Sequence, residues 1–163
     1  MRAAQAGSQA ALEALYRDHW PRAHRAAYLV VHDAAAAEDI AQEAFLAAVR
    51  ALDRFDRRRP FGPWLHRIVV NRAIDWARAR SLRAEVELPE SEAARAEAPS
   101  ELPALVRALA ELTPEQRGVV VLRHLLEYTP GEIARLLDLP RGTVNSRLRR
   151  GLDELAIRLG EER

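Results

Sequence analysis

Two short segments in the last third of the chain leave little freedom in how it folds. Thr113-Pro114-Glu115-Gln116 supplies a hydroxyl cap, a proline suited to the first helical turn and, three residues after the cap, an amide that reaches back to the cap's own N–H. Thr129-Pro130-Gly131-Glu132 repeats the arrangement 16 residues later. Each threonine cap contributes about 1 kcal/mol. The two starts predict one helix over Pro114 to Leu126 and another over Pro130 to Leu137, the second stopped by Asp138-Leu139-Pro140. A final helix is expected over Arg141 to Leu159. A short helix, a tight turn and a longer basic helix is the layout of a helix-turn-helix. Its expected core is Ile133, Ala134, Leu137, Leu139 and Val144, with Ala134 small where two helices cross. Asp138 stands in the turn, where a positive φ is wanted and Asp tolerates it better than most residues.

On a wheel of the last helix, Val144, Leu148, Leu152, Leu155 and Leu159 form one stripe that should pack inward. Thr143, Ser146 and Arg150 lie opposite, Arg147 and Arg149 flank them, and Asn145 sits at the edge. This surface carries donors and no acid, as a helix in the major groove requires. Arg reads guanine bidentately or holds phosphate, Asn reads adenine, and Ser or Thr bonds to either. The alternative is a solvated basic face on an ordinary bundle helix. Such a face normally mixes charge signs, whereas Arg141 to Arg150 holds four Arg and no acid.

The rest of the chain also reads as helical. Ala, Leu, Arg and Glu dominate, all good helix formers, so the fold class is all-α. A first helical segment covers Ser8 to Val31, and Pro21 inside it should kink or break it near Trp20. Asp33 is the expected N-cap of a helix from Ala34 to Leu52. Phe55 to Gly62 reads as a loop, and Pro63 suits the first turn of a third helix reaching Arg80. A short helix is expected over Pro103 to Leu112.

Charge divides the sequence. Arg54 to Arg83 has a local balance of +7, and Ala84 to Glu101 a balance of −5. The acidic segment Ser81 to Pro103 carries Pro89, Pro99 and Pro103 and lacks aromatics, which predicts a partly disordered linker. The expected organisation is two small helical domains, 1–83 and 104–163, joined by an acidic flexible linker over 84–103.

Several function classes fall away. Cysteine is absent, which removes disulfides, thiolate metal sites and cysteine nucleophiles and fits a reducing cytoplasm. No stretch reaches the roughly 18 apolar residues of a membrane span, and no signal peptide is evident. The chain reads as a cytoplasmic protein without membrane insertion. His19, His24, His32, His66 and His124 are scattered without metal-site spacing, and read as satisfied or exposed. With no phosphate loop and no catalytic constellation, the reading is no enzyme, no cofactor and no metal.

At three places the sequence resembles the bacterial extracytoplasmic-function RNA polymerase sigma factors. Asp39-Ile40-Ala41-Gln42-Glu43-Ala44-Phe45 is similar to their D-x-x-Q-E-x-F stretch. Phe61-Gly62-Pro63-Trp64-Leu65-His66-Arg67-Ile68, followed by Asn71 and Asp75, resembles their promoter-melting helix. Gly142-Thr143-Val144-Asn145-Ser146-Arg147-Leu148 resembles the start of their last helix. The likeness spans Leu12 to Leu159, and the three stretches in this order, across an acidic linker, are highly specific together. Asn145 stands where the family often has Lys, and Asp138 replaces the usual turn Gly.

The resemblance implies a role for each part. Asp39, Gln42, Glu43 and Phe45 would dock on the β′ clamp of core RNA polymerase; periodicity alone reads their polar face equally well as plain solvation. Phe61, Trp64, Asn71, Arg72, Asp75, Arg78 and Arg80 would face the −10 promoter element. Strand separation needs Arg for phosphates and aromatic or amide groups for unstacked bases. Trp64 stays open between base stacking and core packing, and Arg57, Arg58 and Arg59 between phosphate contacts and a solvated loop. Thr143, Asn145, Ser146, Arg147, Arg149 and Arg150 would read the −35 element, with the second domain on the β flap. An anti-sigma factor is a further implied partner beside promoter DNA. The rivals are a stand-alone helix-turn-helix regulator, which would dimerise on a two-fold operator, and a small all-α enzyme.

Overall fold

A computed structural model of the chain describes residues 1–87 and 104–161. The described residues form only helices and connections. They are α1 (Arg2–Gln5), α2 (Gln9–Val31), α3 (Ala34–Arg50), a 3-10 turn (Leu52–Arg54), α4 (Phe61–Glu87), α5 (Ala104–Glu111), α6 (Pro114–His124), α7 (Pro130–Leu137) and α8 (Arg141–Glu161).

Local chemistry sets most boundaries. Ser8 Oγ accepts from the Ala11 amide, opening α2. Asp33 Oδ1 accepts from the Ala36 amide at 2.9 Å, opening α3. Both reciprocal caps form: Thr113 with Gln116 and Thr129 with Glu132. Glu132 also bonds the Thr129 hydroxyl, and these bonds hold its carboxyl below the ordinary range.

Three expectations change. Pro21 neither breaks nor ends α2, which runs through it. Proline removes the amide that would bond the carbonyl four residues back. Pro21 and Arg17 are both exposed, so water can serve that carbonyl while the opposite face, with Ala23, Ala26, Ala27 and Val30, stays packed. The helix expected from Pro63 to Arg80 begins at Phe61 and continues to Glu87. Residues 84–87 of the expected linker are therefore helical, and 88–103 lie outside the described residues. Finally, Leu152 is 42% exposed. It lies about 80° round the wheel from Val144, at the stripe's edge. Gly151 takes the contact instead: a Cβ there would lie 3.1 Å from Val120 Cγ2.

The helices group into two bundles. α2, α3 and α4 pack on one another around Val30, Ala37, Ala44, Leu65 and Val69; α5, α6 and α7 pack on α8 around Val119, Leu122, Ile133 and Val144. The bundles also touch. α6 lies on α2 and α4, and α7 on α4, so one buried cluster runs through both.

Candidate nucleic-acid interface

The turn between α7 and α8 fixes the first surface. Asp138 adopts the left-handed conformation at φ 53°, and the Leu139 amide bonds back to the Ala134 carbonyl at 2.9 Å. Ile133 and Val144 are fully buried across the crossing. Anchoring Val144 points the opposite side of α8 outward, because side chains repeat at about 100° per residue. Asn145, Arg149 and Arg150 are exposed, and Thr143, Ser146 and Arg147 are half-buried. Ser146 Oγ donates to the Thr143 carbonyl. Among the described residues, Arg149 and Arg150 have no acidic partner, which leaves both cations available for a polyanion.

α4 carries the second surface. Arg72 pairs with Glu43 of α3 at 2.9 Å, and Arg80 with Asp33 at 3.1 Å while lying over the Trp76 ring. Arg78 is held by Glu115 of α6 and lies 3.7 Å from Asp75. Asn71 is half-buried and Asp75 exposed. These arginines form a basic row whose members are each tied to an acid.

At the N-terminal end of α4, aromatic rings cluster. Trp64 stacks on Phe55 with centroids 4.6 Å apart, and Phe61 meets Phe45, Phe55 and Trp64 edge-on. Phe61 and Phe55 are buried, while Trp64 is half-buried at the rim. One face of Trp64 is thus spent on Phe55. Arg57, Arg58 and Arg59 lie in the exposed loop before it. A cleft of about 770 Å³ opens here, walled by Arg54, Arg59, Trp64 and Arg67 on one side and by Tyr128 and Arg135 on the other.

The third surface is on α3. Asp39, Gln42 and Glu43 are exposed beside Leu46, which is 52% exposed. Phe45 is buried under this face, edge-on to Tyr16 and Phe61. It braces the face rather than forming part of it, because it lies on the side of α3 that packs on α2.

Sequence reasoning missed the residues that join the bundles. Arg117 of α6 is buried beside His32, and His66 of α4 shares a 2.7 Å hydrogen bond with Tyr128. Burial drives both histidines down to about 4, helped by Arg117 at His32 and by His19 and Arg22 at His66. The expectation of satisfied or exposed rings holds only in part: Nδ1 of each is bonded, while Nε2 of each is buried with no partner among the described residues. The signal available was a lone arginine opening the apolar run Gly118 to Leu122. Among the described residues, no three His, Asp or Glu converge to hold a metal ion.

Two family models match the chain: Sigma-70 region 2 over residues 15–83 and Sigma-70 region 4 over residues 102–155. The ECF RNA polymerase sigma factor SigM of Mycobacterium tuberculosis is 36% identical over 159 residues, covering 95% of this chain and 80% of that protein. The RNA polymerase sigma factor CarQ of Myxococcus xanthus is 34% identical, covering 95% and 92%. Among solved structures, CnrH in complex with the cytosolic domain of CnrY is similar at a TM-score of 0.74 and 28% identity, over 99% of this chain and 96% of that one. RpoE of Bartonella quintana, bound to the anti-sigma factor NepR, shares the fold at a TM-score of 0.73 and 22% identity, over 93% and 98%.

Proposed function

The chain belongs to the extracytoplasmic-function RNA polymerase sigma factors, and from that premise we propose how its parts divide the work of initiation. As a sigma factor it binds core RNA polymerase, directs it to specific promoters and helps melt the −10 region. Region 2, within residues 1–83, docks on the polymerase clamp through Asp39, Gln42 and Glu43 on the exposed face of α3. The same bundle engages the −10 element through Asn71, Arg72, Asp75, Arg78 and Arg80 on α4. Trp64, half-buried at the rim, offers a ring to an unstacked base, while Phe55 and Phe61 support it. Region 4, within residues 104–163, reads the −35 element with Thr143, Asn145, Ser146, Arg147, Arg149 and Arg150.

The observation that carries this reading is the acid-free first half of α8, Arg141 to Arg150, where Arg149 and Arg150 have no acidic partner among the described residues, on the same chain as the basic row of α4. The chain acts without catalytic chemistry of its own, in the cytoplasm where the polymerase works. No helix among the described residues is long and apolar enough to cross a membrane. An anti-sigma factor is a further partner in this reading; RpoE of Bartonella quintana, which shares the fold, is bound by one.

Physical reach explains why polymerase is needed. The two elements lie about 55–60 Å apart, for about 17 base pairs at 3.4 Å each. The 16 residues between α4 and α5 span at most about 55 Å extended, and as a relaxed chain their end separation is about 22 Å. Tethering alone therefore adds little to joint binding, and the polymerase must hold the regions apart. Run-off transcription with core polymerase on genomic promoter fragments tests the whole assignment. Promoter-specific transcripts that require both proteins are expected. Nanomolar promoter binding by a dimer of the free chain would favour a stand-alone regulator instead.

A further inference from the structure

The cleft at the seam between the two bundles brings together cations, aromatic rings and room for a small molecule, and promoter reading uses only its Trp64 ring. Its volume is about 770 Å³, within the range of about 300–1,000 Å³ of pockets that enclose small molecules. Arg54, Arg59 and Arg67 line one wall; all three are exposed, and none has an acidic partner among the described residues. Arg135 of α7 lines the other wall and acts on the carboxylate of Glu132.

The two acids at the cleft are occupied by the backbone. Glu132 is the reciprocal cap of α7, bonded to the Thr129 amide and hydroxyl at 2.7 Å each. Asp56 Oδ1 accepts from the Arg58 amide at 3.0 Å. Four guanidinium groups against these two carboxylates leave the lining with a net charge of +2. Like charges gathered on a concave surface repel one another, and a ligand with at least two negative charges relieves that repulsion. Guanidinium groups grip phosphate oxygens through paired, parallel N–H bonds.

The rings give the cleft its second requirement. Trp64 is half-buried on one wall and Tyr128 half-buried on the other. Both are held in place. Trp64 stacks on Phe55 with centroids 4.6 Å apart, and the Tyr128 hydroxyl is tied to His66 Nδ1 at 2.7 Å. Burial pushes the phenol up to about 12, so it adds no negative charge of its own. Rings fixed in advance take a planar ligand at little entropic cost. Phosphate alone would leave both rings unused, and an uncharged aromatic would leave the arginines unmatched.

We propose that this cleft is a binding site for a free nucleotide carrying two or more phosphates, with its base on Trp64 and its phosphates on Arg59, Arg67 and Arg135. The site goes beyond promoter reading and stands whether or not the chain reads a promoter. A single strand offers the same chemistry, a base on a ring and phosphate on arginine, so the experiment separates the two sources.

Isothermal titration of the full chain with GDP should show one saturable site of micromolar affinity. Inorganic pyrophosphate and guanosine should each bind about tenfold more weakly, because each lacks one of the two matched parts. Arg59→Ala on one wall and Arg135→Ala on the other should each weaken GDP by about fivefold or more, with circular dichroism unchanged. Arg83→Ala is the control. Arg83 lies 16 residues along α4 from Arg67, about 24 Å at 1.5 Å per residue. That is beyond the screening length of about 8–10 Å, so its loss should leave GDP affinity unchanged. Pyrophosphate binding as tightly as GDP, or equal losses in Arg83→Ala and Arg135→Ala, would reduce the cleft to a general basic surface and overturn the proposal. Absence of saturation by GDP at millimolar concentration overturns it as well. A single-stranded deoxyhexanucleotide that displaces a fluorescent GDP analogue at lower concentration than GDP does would show that the cleft takes a strand, and would equally overturn the free nucleotide as its ligand.

Discussion

Acidification should loosen this protein through two histidines at the seam. His66 and His32 are each held at about 4 against an ordinary value of 6.5, chiefly because burial removes water from the charged ring. Arg117 faces His32, while His19 and Arg22 face His66. Tyr128, pushed up to about 12, stays neutral beside it. Both folded-state values lie below the unfolded one, so the unfolded chain binds more protons between them. Stability is complete above 6.5 and falls as pH drops toward 4. A histidine held that far down contributes up to about 3 kcal/mol, at 1.36 kcal/mol per pH unit. This amount is a loss that each ring brings on as pH falls through the window, not a gain at neutral pH. Urea unfolding at intervals between pH 7.5 and 4.5 measures the loss. His32→Asn, a residue that tolerates positive φ, combined with His66→Gln, should make the dependence shallower, leaving only the part due to His19, which burial also holds below 6.5. Glu115 and Asp33, both held low, lose their contributions only nearer the carboxylate range and do not account for loss above pH 5. Equal slopes for the parent and the double variant between pH 6.5 and 5 would refute the reasoning.

Three further outcomes follow from the same geometry. Arg150→Ala should weaken binding to a −35 duplex by about 1–3 kcal/mol, and relax preference at a single base pair, in a competition series against sequence variants. Ile133→Ala, at a fully buried position under the helix-turn-helix, should cost about 2–5 kcal/mol in denaturant unfolding. Asp39→Ala with Gln42→Ala, both exposed, should lower affinity for core polymerase at least tenfold in a pull-down titration while the melting temperature stays within a degree or two, since exposed substitutions rarely change stability by more than about 0.5 kcal/mol.

Caps and turns were legible because they act over three or four residues. Thr113, Thr129 and Asp33 meet their partners within their own helices, and Asp138 takes its left-handed turn from the chain around it. The outward face of α8 was legible for a related reason: one buried anchor, Val144, sets the direction of every other side chain on a regular helix. The three motif stretches carried the family assignment without any coordinates. Helical periodicity could place Phe45 near Asp39, Gln42 and Glu43, but not say that Tyr16 and Phe61 would cover it. Nor could it say that α2 would pass through Pro21, since that depends on which side of the helix meets water. The contacts of Arg117 with Val30 and His32 span 87 and 85 residues. The apolar run that follows it, Gly118 to Leu122, hints at burial but does not name these distant partners. The sequence by itself determined which helices form and which surfaces they offer. Only tertiary packing decided that the two bundles close on each other, because burying a charge and omitting a side chain at Gly118, against Ile74, gain their meaning from what lies opposite.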